Sequence, residues 1–167
     1  MNVEHPLLSL AMIARDEADV IGDAIASVQS VVGDVVVALD HRTRDKTKEI
    51  CESFEGKGSI ERVEVFDYEW NHHFGDARSA SIRQCVGRYI LWLDCDETVV
   101  EEDLPKLVEA CESGEWFMMR TIGFIDPTYD GAQEDIQGFG LGLVEVQLIR
   151  RSNSSPRRRT SCLSMKV

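Results

Sequence analysis

An α/β fold built on a largely parallel sheet is what this sequence predicts, and three observations predict it. Short apolar runs alternate with helix-like stretches from residue 6 to residue 114, the order that βα units produce. Two of the runs, VVVAL at 35–39 and YILWL at 89–93, are continuous rather than alternating, as strands covered on both faces are. Acids follow several of these runs, at the carboxyl ends of strands where open α/β sheets bind ligands.

Each element has its own justification. Residues 6–14, PLLSLAMIA, form an apolar run that stops at Arg15-Asp16-Glu17 and predict the first strand. Residues 18–32 carry Val20, Ile21, Ala24, Ile25 and Val28, the spacing of an amphipathic helix that Gly33-Asp34 breaks. The run at 35–39 predicts a second strand, closed by Asp40. Residues 43–54 suit a helix with Thr43 as its N-cap. Residues 60–66, IERVEVF, alternate as a half-exposed strand does. A helix over 75–86 and a strand over 89–93 follow. Residues 101–114 predict a short helix with acids in its first turn. Beyond it, 115–125 predicts a strand, 126–140 is turn-rich, and 141–150 alternates as a strand pairing with 115–125.

Composition bounds the partners. The 167 residues suit one domain with a real core. Five cysteines (Cys51, Cys85, Cys95, Cys111, Cys162) with no CxxC pair argue against a disulfide framework and a zinc ribbon. No apolar run reaches transmembrane length, and the first residues lack the pattern of a signal peptide, so the expected location is cytoplasmic. The net charge of −12 disfavours nucleic acid, whose phosphates are bound by neutralisation. The charge is unevenly spread: residues 150–167 hold five Arg, one Lys and no acid, while all 30 acids precede them. The expected organisation is one folded domain over 1–150 and a basic, disordered tail over 151–167, which an anionic membrane surface could attract weakly.

The segment RYILWLDCDETVV at 88–100 holds the sharpest chemical signal. A buried strand ends in Asp94, Cys95, Asp96 and Glu97. Like charges so close repel, and a carboxylate needs water, a donor or a cation. Either the cluster is solvated or a cation sits among its oxygens. Mg²⁺ and Mn²⁺ take one or two carboxylates and complete their shell with water and substrate phosphates, so Asp-x-Asp at a strand tip suits a metal that holds a diphosphate.

Four blocks in order resemble family 2 glycosyltransferases of the GT-A fold: LSLAMIARDEADVIGDAIASV, VVALDHRTRDKT, VFDYEWNHHFGDARSASI and GRYILWLDCDE. They cover residues 7 to 100, after which the likeness fades to an echo at VQLIRR, 146–151. The resemblance implies a Rossmann-like, mostly parallel sheet with helices on both faces. It also implies transfer of a sugar from a nucleotide-diphosphate sugar, a UDP-sugar being favoured, to an acceptor hydroxyl of a glycan, lipid or protein. Transfer would proceed with inversion and depend on Mn²⁺ or Mg²⁺. Carried over by position, Ala14 and Glu17 would line the nucleotide site, Asp40 would contact base or ribose, and Arg78 would lie near the diphosphate. Asp94 would hold the ribose or sugar side, and Asp96 would ligate the metal. The family's base is an acid downstream of Asp-x-Asp; Glu134 and Asp135 are the candidates here, with Glu145 a further acid on a predicted strand.

The sequence departs from the family at several places. His41, Arg42 and Arg44 replace smaller residues, and His72 and His73 stand where acids are usual. The two histidines are read as loop residues, because neighbours on a strand point to opposite faces. Trp70 and Trp92 are read as packing residues, Cys95 as a small spacer without nucleophilic character, and Arg42 as a solvated loop residue. Two alternatives stand. The chain can be a shortened transferase domain that binds nucleotide-sugar without efficient turnover. Or Asp94 and Asp96 can be the nucleophile and acid/base of a haloacid dehalogenase-type phosphatase, although that motif normally follows the first strand and Lys106 is the sole lysine between Asp96 and the tail.

Overall fold

The computed structural model describes residues 6–113 and the strand at 148–150. Its elements run β1 (Leu8–Ala14), α1 (Ile21–Val28), β2 (Asp34–Asp40), α2 (Thr47–Glu52), β3 (Arg62–Tyr68), α3 (Phe74–Gln84), β4 (Tyr89–Trp92), a 3₁₀ turn (Glu101–Asp103), α4 (Leu104–Ser113) and β5 (Leu148–Arg150). The sheet order is β3-β2-β1-β4-β5. β1, β2, β3 and β4 are mutually parallel, while β5 runs antiparallel to β4, with Ile90 opposite Ile149. The order reverses at β1, which has β2 on one side and β4 on the other. Such a switch point opens a crevice at the strands' carboxyl ends.

Strand parity assigns residues to the two faces. Leu8, Leu10 and Met12 of β1, Val35, Val37 and Leu39 of β2, and Tyr89 and Leu91 of β4 share one buried cluster with Ile21, Ile25 and Val28 of α1, Cys51 of α2 and Leu107 of α4. The intervening residues, Ala11, Val36, Ile90 and Trp92, pack with Cys85 and Ile82 around α3 on the other face. A strand buried on both faces has no place for alternation, which is why β1 and β2 read as continuous apolar runs. Each fully buried Leu, Ile or Met contributes about 1.5–3 kcal/mol, so the larger cluster carries most of the hydrophobic stabilisation.

The amino end of the sheet is tied by a buried charge. Asp34 is 0% exposed. Its carboxylate accepts hydrogen bonds from Ser9 Oγ at 2.6 Å, Arg62 Nη1 at 2.6 Å and the Val86 backbone N at 2.9 Å. Ser9 Oγ in turn accepts the Gly87 N–H at 2.8 Å. That close approach requires glycine, because a Cβ on Gly87 would stand 2.6 Å from Ser9 Oγ and 2.7 Å from Ser9 N. The network joins β1, β2, β3 and the α3–β4 connection at the end of the sheet opposite the crevice.

Several boundaries move from the sequence expectation. α2 begins at Thr47 rather than at Thr43, because the chain first turns through 40–46, where Asp45 accepts the Thr47 backbone N–H at 3.0 Å. α1 is shorter than expected, and β3 is shifted two residues on. The acidic first turn foreseen at 101–114 is the 3₁₀ turn preceding α4. The expected strand at 115–125, the turn-rich 126–140 and the tail at 151–167 lie outside the described residues.

Candidate active site

Three loops and one helix meet over the carboxyl ends of β1, β2 and β4. The loops after β1 and β2 are laced together. Asp16, in the left-handed conformation at φ 53°, accepts the Arg44 N–H at 2.7 Å. Asp45 accepts the Ala18 N–H at 2.9 Å, and Thr47 Oγ1 accepts the Glu17 N–H at 2.8 Å. Thr47 Oγ1 also donates to Asp45 Oδ1 at 2.5 Å. These contacts set the height at which Glu17 stands above the sheet.

Two adjoining cavities open there. One, of about 270 Å³, is lined by Ile13, Ala14, Arg15, Glu17, Ala38, Asp40, Tyr68, Trp70, Phe74 and Ala77. The other, of about 280 Å³, is lined by Ile13, Glu17, Phe74, Arg78, Asp94, Cys95 and Asp96. The first is mostly apolar and aromatic, with Arg15 and the carboxylates of Glu17 and Asp40 in its wall; the second is charged. Ile13, Glu17 and Phe74 belong to both. Phe74 is 64% exposed and meets Trp70 edge-on, with ring centroids 4.8 Å apart. The six residues Ala14, Glu17, Asp40, Arg78, Asp94 and Asp96 are thus brought together; Glu134, Asp135 and Glu145 lie outside the described residues.

The chain's match to the model of the glycosyl transferase family 2 extends over residues 9–153. The chain belongs to glycosyl transferase family 2. A TPR repeat-containing protein of Synechococcus elongatus is 35% identical over 100 residues, which are 60% of this chain and 23% of that protein. Among solved structures, S. aureus TarS 1-349 in complex with UDP superposes with a TM-score of 0.57 at 20% identity, covering 72% of this chain and 38% of that one. The same protein in complex with UDP-GlcNAc gives a TM-score of 0.55 at 21% identity, covering 72% and 36%. The fold is the GT-A glycosyltransferase fold. The chain spans about a quarter of the matched relative and under two-fifths of these solved structures.

Within this family 2 domain each acid has its own environment. Asp40 is 6% exposed and is clasped by Arg42, whose Nε lies 2.9 Å from Oδ1 and whose Nη2 lies 2.6 Å from Oδ2. The Arg42 side-chain hydrogen bonds hold the Asp40 carboxyl well below the usual carboxylate range. Arg42 is therefore not the solvated loop residue expected from the sequence. Asp94 accepts the Trp92 indole N–H at 3.1 Å, and its Oδ1 stands 3.8 Å from Arg78 Nη2. The Arg78 guanidinium lies over the Trp92 ring, 4.6 Å from its centroid. Trp92 packs in the α3-face core, as expected, and also positions these two charged groups. Parity explains it: residues 92 and 94 project to the side of the sheet that α3 covers. Cys95 turns the other way, into the larger core, where its thiol donates to the Ile13 carbonyl at 3.2 Å. Burial pushes that thiol far above its ordinary pKa, which agrees with a spacer rather than a nucleophile.

Glu97 folds back to accept the Asp94 backbone N–H at 3.0 Å. Its pKa is raised, first by burial and then by the charges of Asp94 and Asp96. Glu17 is raised likewise, by burial first and then by Asp96, Asp45 and Asp16. With Glu17, Asp94 and Asp96 against Arg78 alone among its described lining residues, the second cavity is short of positive charge. Among the described residues no hydrogen bond or ion pair engages the exposed Asp96 carboxylate, and no group of three or more His, Cys, Asp or Glu is arranged to hold a metal ion. An all-oxygen, electron-rich set with fewer than three protein ligands fits a hard divalent cation whose shell is completed by phosphates and water. His73 caps α3, its Nδ1 accepting the Asp76 N–H at 3.2 Å, and His72 sits in the loop at φ 65°; both are loop histidines.

Sequence reasoning missed Phe74, Asp45 and Thr47, and gave Glu97 no role beyond its place in the acidic cluster. Asp45-x-Thr47 carries a legible signal, since an Asp side chain readily accepts the backbone N–H two residues on and turns the chain. Phe74 carries none, because an aromatic at a helix start reads as core.

Proposed function

We propose that this domain transfers a sugar from a nucleotide-diphosphate sugar, with a UDP-sugar as donor, to an acceptor hydroxyl, with inversion and dependence on Mn²⁺ or Mg²⁺. The observation that carries the reading is the pairing of an aromatic cavity with a charged one at the switch point of a family 2 sheet. A nucleoside suits the first, with Asp40 in its wall, and a diphosphate the second. The complexes of S. aureus TarS with UDP and UDP-GlcNAc support the choice of nucleotide.

The residues divide the work. Ala14 and Glu17 line the donor path, and Asp94, held by Trp92 and Glu97, faces the ribose or sugar side. As the sugar–phosphate bond breaks, negative charge grows on the departing diphosphate. The Arg78 guanidinium, stacked and only loosely paired with Asp94, stabilises that charge more in the transition state than before it. Asp96, with Asp94 beside it, would hold the divalent cation, which when bound supplies Lewis-acid stabilisation of the leaving group. A carboxylate beyond residue 113, Glu134 or Asp135, takes the acceptor's proton from the opposite face of the sugar.

A second reading has its own support. The chain spans under two-fifths of the solved relatives, so it can bind the donor and lack turnover alone. Donor hydrolysis decides between the two. Purified protein with Mn²⁺ and a panel of sugar nucleotides is expected to release UDP from at least one donor, and Asp96→Ala to abolish release. Donor binding without release supports the binding-only reading. Cleavage of p-nitrophenyl phosphate that Asp94→Asn stops would overturn both in favour of the phosphatase alternative.

A further inference from the structure

We propose that Arg42 sets which nucleobase the aromatic cavity accepts, by leaving Asp40 a single free acceptor position. The inference rests on the donor-binding reading above. An ionised carboxylate offers about four lone-pair positions, two on each oxygen. Oδ1 of Asp40 accepts both the Arg42 backbone N–H, at 2.9 Å, and Arg42 Nε, at 2.9 Å. Oδ2 accepts Arg42 Nη2 at 2.6 Å. His41 Nδ1, at 3.6 Å from Oδ1, is beyond hydrogen-bond reach. Oδ1 is therefore saturated, and Oδ2 retains one position. Asp40 lines the cavity with Trp70 and Phe74, whereas Arg42 is not among the residues lining it. The arginine holds the carboxylate from outside and rations what it offers inside.

A base edge with one N–H donor, as uracil presents, uses the remaining position and leaves no donor over. Guanine presents a ring N–H beside an amino group, and reads a carboxylate through both oxygens. Here Asp40 can pair with only one of its two donors, a mismatch that lowers affinity by about tenfold or more. A ribose diol that sought both oxygens would meet the same limit. Removing the Arg42 side chain leaves only the backbone N–H on Oδ1 and opens both oxygens to a two-donor edge.

Calorimetric titration of UDP and GDP, with Mn²⁺, into the intact chain and its Arg42→Ala and Arg42→Lys variants tests this, with circular dichroism to verify folding. The unaltered chain is expected to prefer UDP by about tenfold or more, and Arg42→Ala to narrow the gap to about threefold or less by gaining GDP affinity. Arg42→Lys, which donates without a fork, falls between. UDP binding with an unchanged UDP-to-GDP ratio in Arg42→Ala overturns the inference, as does an unaltered chain that binds GDP as well as UDP. Should Arg42→Ala not fold, an unchanged ratio in Arg42→Lys overturns it. Failure of both nucleotides to bind any of the folded proteins overturns the donor-binding reading itself.

Discussion

Arg78 and Asp40 show how much a single side chain's surroundings decide. Arg78 is exposed, stacks on Trp92 and makes only a loose ion pair, so its removal should cost little stability, within about 1 kcal/mol. Its hydrogen bonds to a diphosphate would be charge-assisted. Arg78→Ala is therefore expected to weaken UDP binding by about ten- to a hundredfold while the urea midpoint stays put. Equal losses in binding and stability would contradict that separation. Asp40 carries a pH prediction. Its folded pKa is depressed, chiefly by the Arg42 side chain, so the ionised form favours folding above the unfolded value of about 4. That contribution disappears as pH falls from about 4 toward the folded value. Urea midpoints measured across this range should drop with acidification, and less steeply in Arg42→Ala; parallel curves would contradict the assignment. Of these residues, Asp40, Asp94, Asp96 and Glu17 were legible as acids at strand ends. Arg42 was not, because a bidentate clasp to a residue two positions away depends on how tightly the loop turns, and sequence spacing does not reveal that.

The elements were legible where periodicity is strong, and less so where a contact from elsewhere chooses the boundary. Val36 and Ile90 face α3 while Val35 and Leu91 face α1 and α4; both faces are buried, and a continuous apolar run reports that directly. The start of α2 is different. Thr43 is a plausible cap by residue type, yet α2 begins only after Lys46, because Asp45 turns the chain with one oxygen on the Thr47 N–H and the other on the N–H of Ala18, far away in sequence. Asp34 is the strongest case of a non-local role. In sequence it looks like part of a turn with Gly33, yet it is wholly buried with Ser9, Arg62 and the Val86 N–H around it. Asp34→Ala would leave Ser9 Oγ and the Val86 N–H without their acceptor and the Arg62 guanidinium with only Glu64 and the Gln84 carbonyl. A loss of about 2–4 kcal/mol in the free energy of urea unfolding is expected from the two buried donors left unpaired, with the crevice residues untouched. A loss under about 1 kcal/mol would show that Arg62 simply turns to solvent.

At the scale of the whole molecule, the strand–helix alternation predicted a parallel sheet, and the order β3-β2-β1-β4 adds what alternation cannot: which strand ends become neighbours. Glu17, Asp40 and Asp94 lie far apart in sequence and meet because β1 lies between β2 and β4. The sequence pairs 141–150 with 115–125, which lies outside the described residues; the described part, β5, pairs antiparallel with β4, a partner that a distant short strand does not reveal. The same packing predicts thiol behaviour. Cys51, Cys85, Cys95 and Cys111 are all buried, and burial raises the Cys51 thiol to about 12. Ellman's reagent at neutral pH is expected to leave these four unreacted in native protein and to find them in urea. Rapid native labelling of Cys95 would contradict its place in the core.

The central claim is that the carboxylates at the tip of β4 complete a diphosphate site through a divalent cation. Calorimetric titration of UDP into folded protein, with and without Mn²⁺, tests it most directly. Binding that appears or tightens with Mn²⁺, and loses that dependence in a folded Asp96→Ala variant, is the predicted result. No heat in either condition, or binding indifferent to both the metal and Asp96, would contradict it.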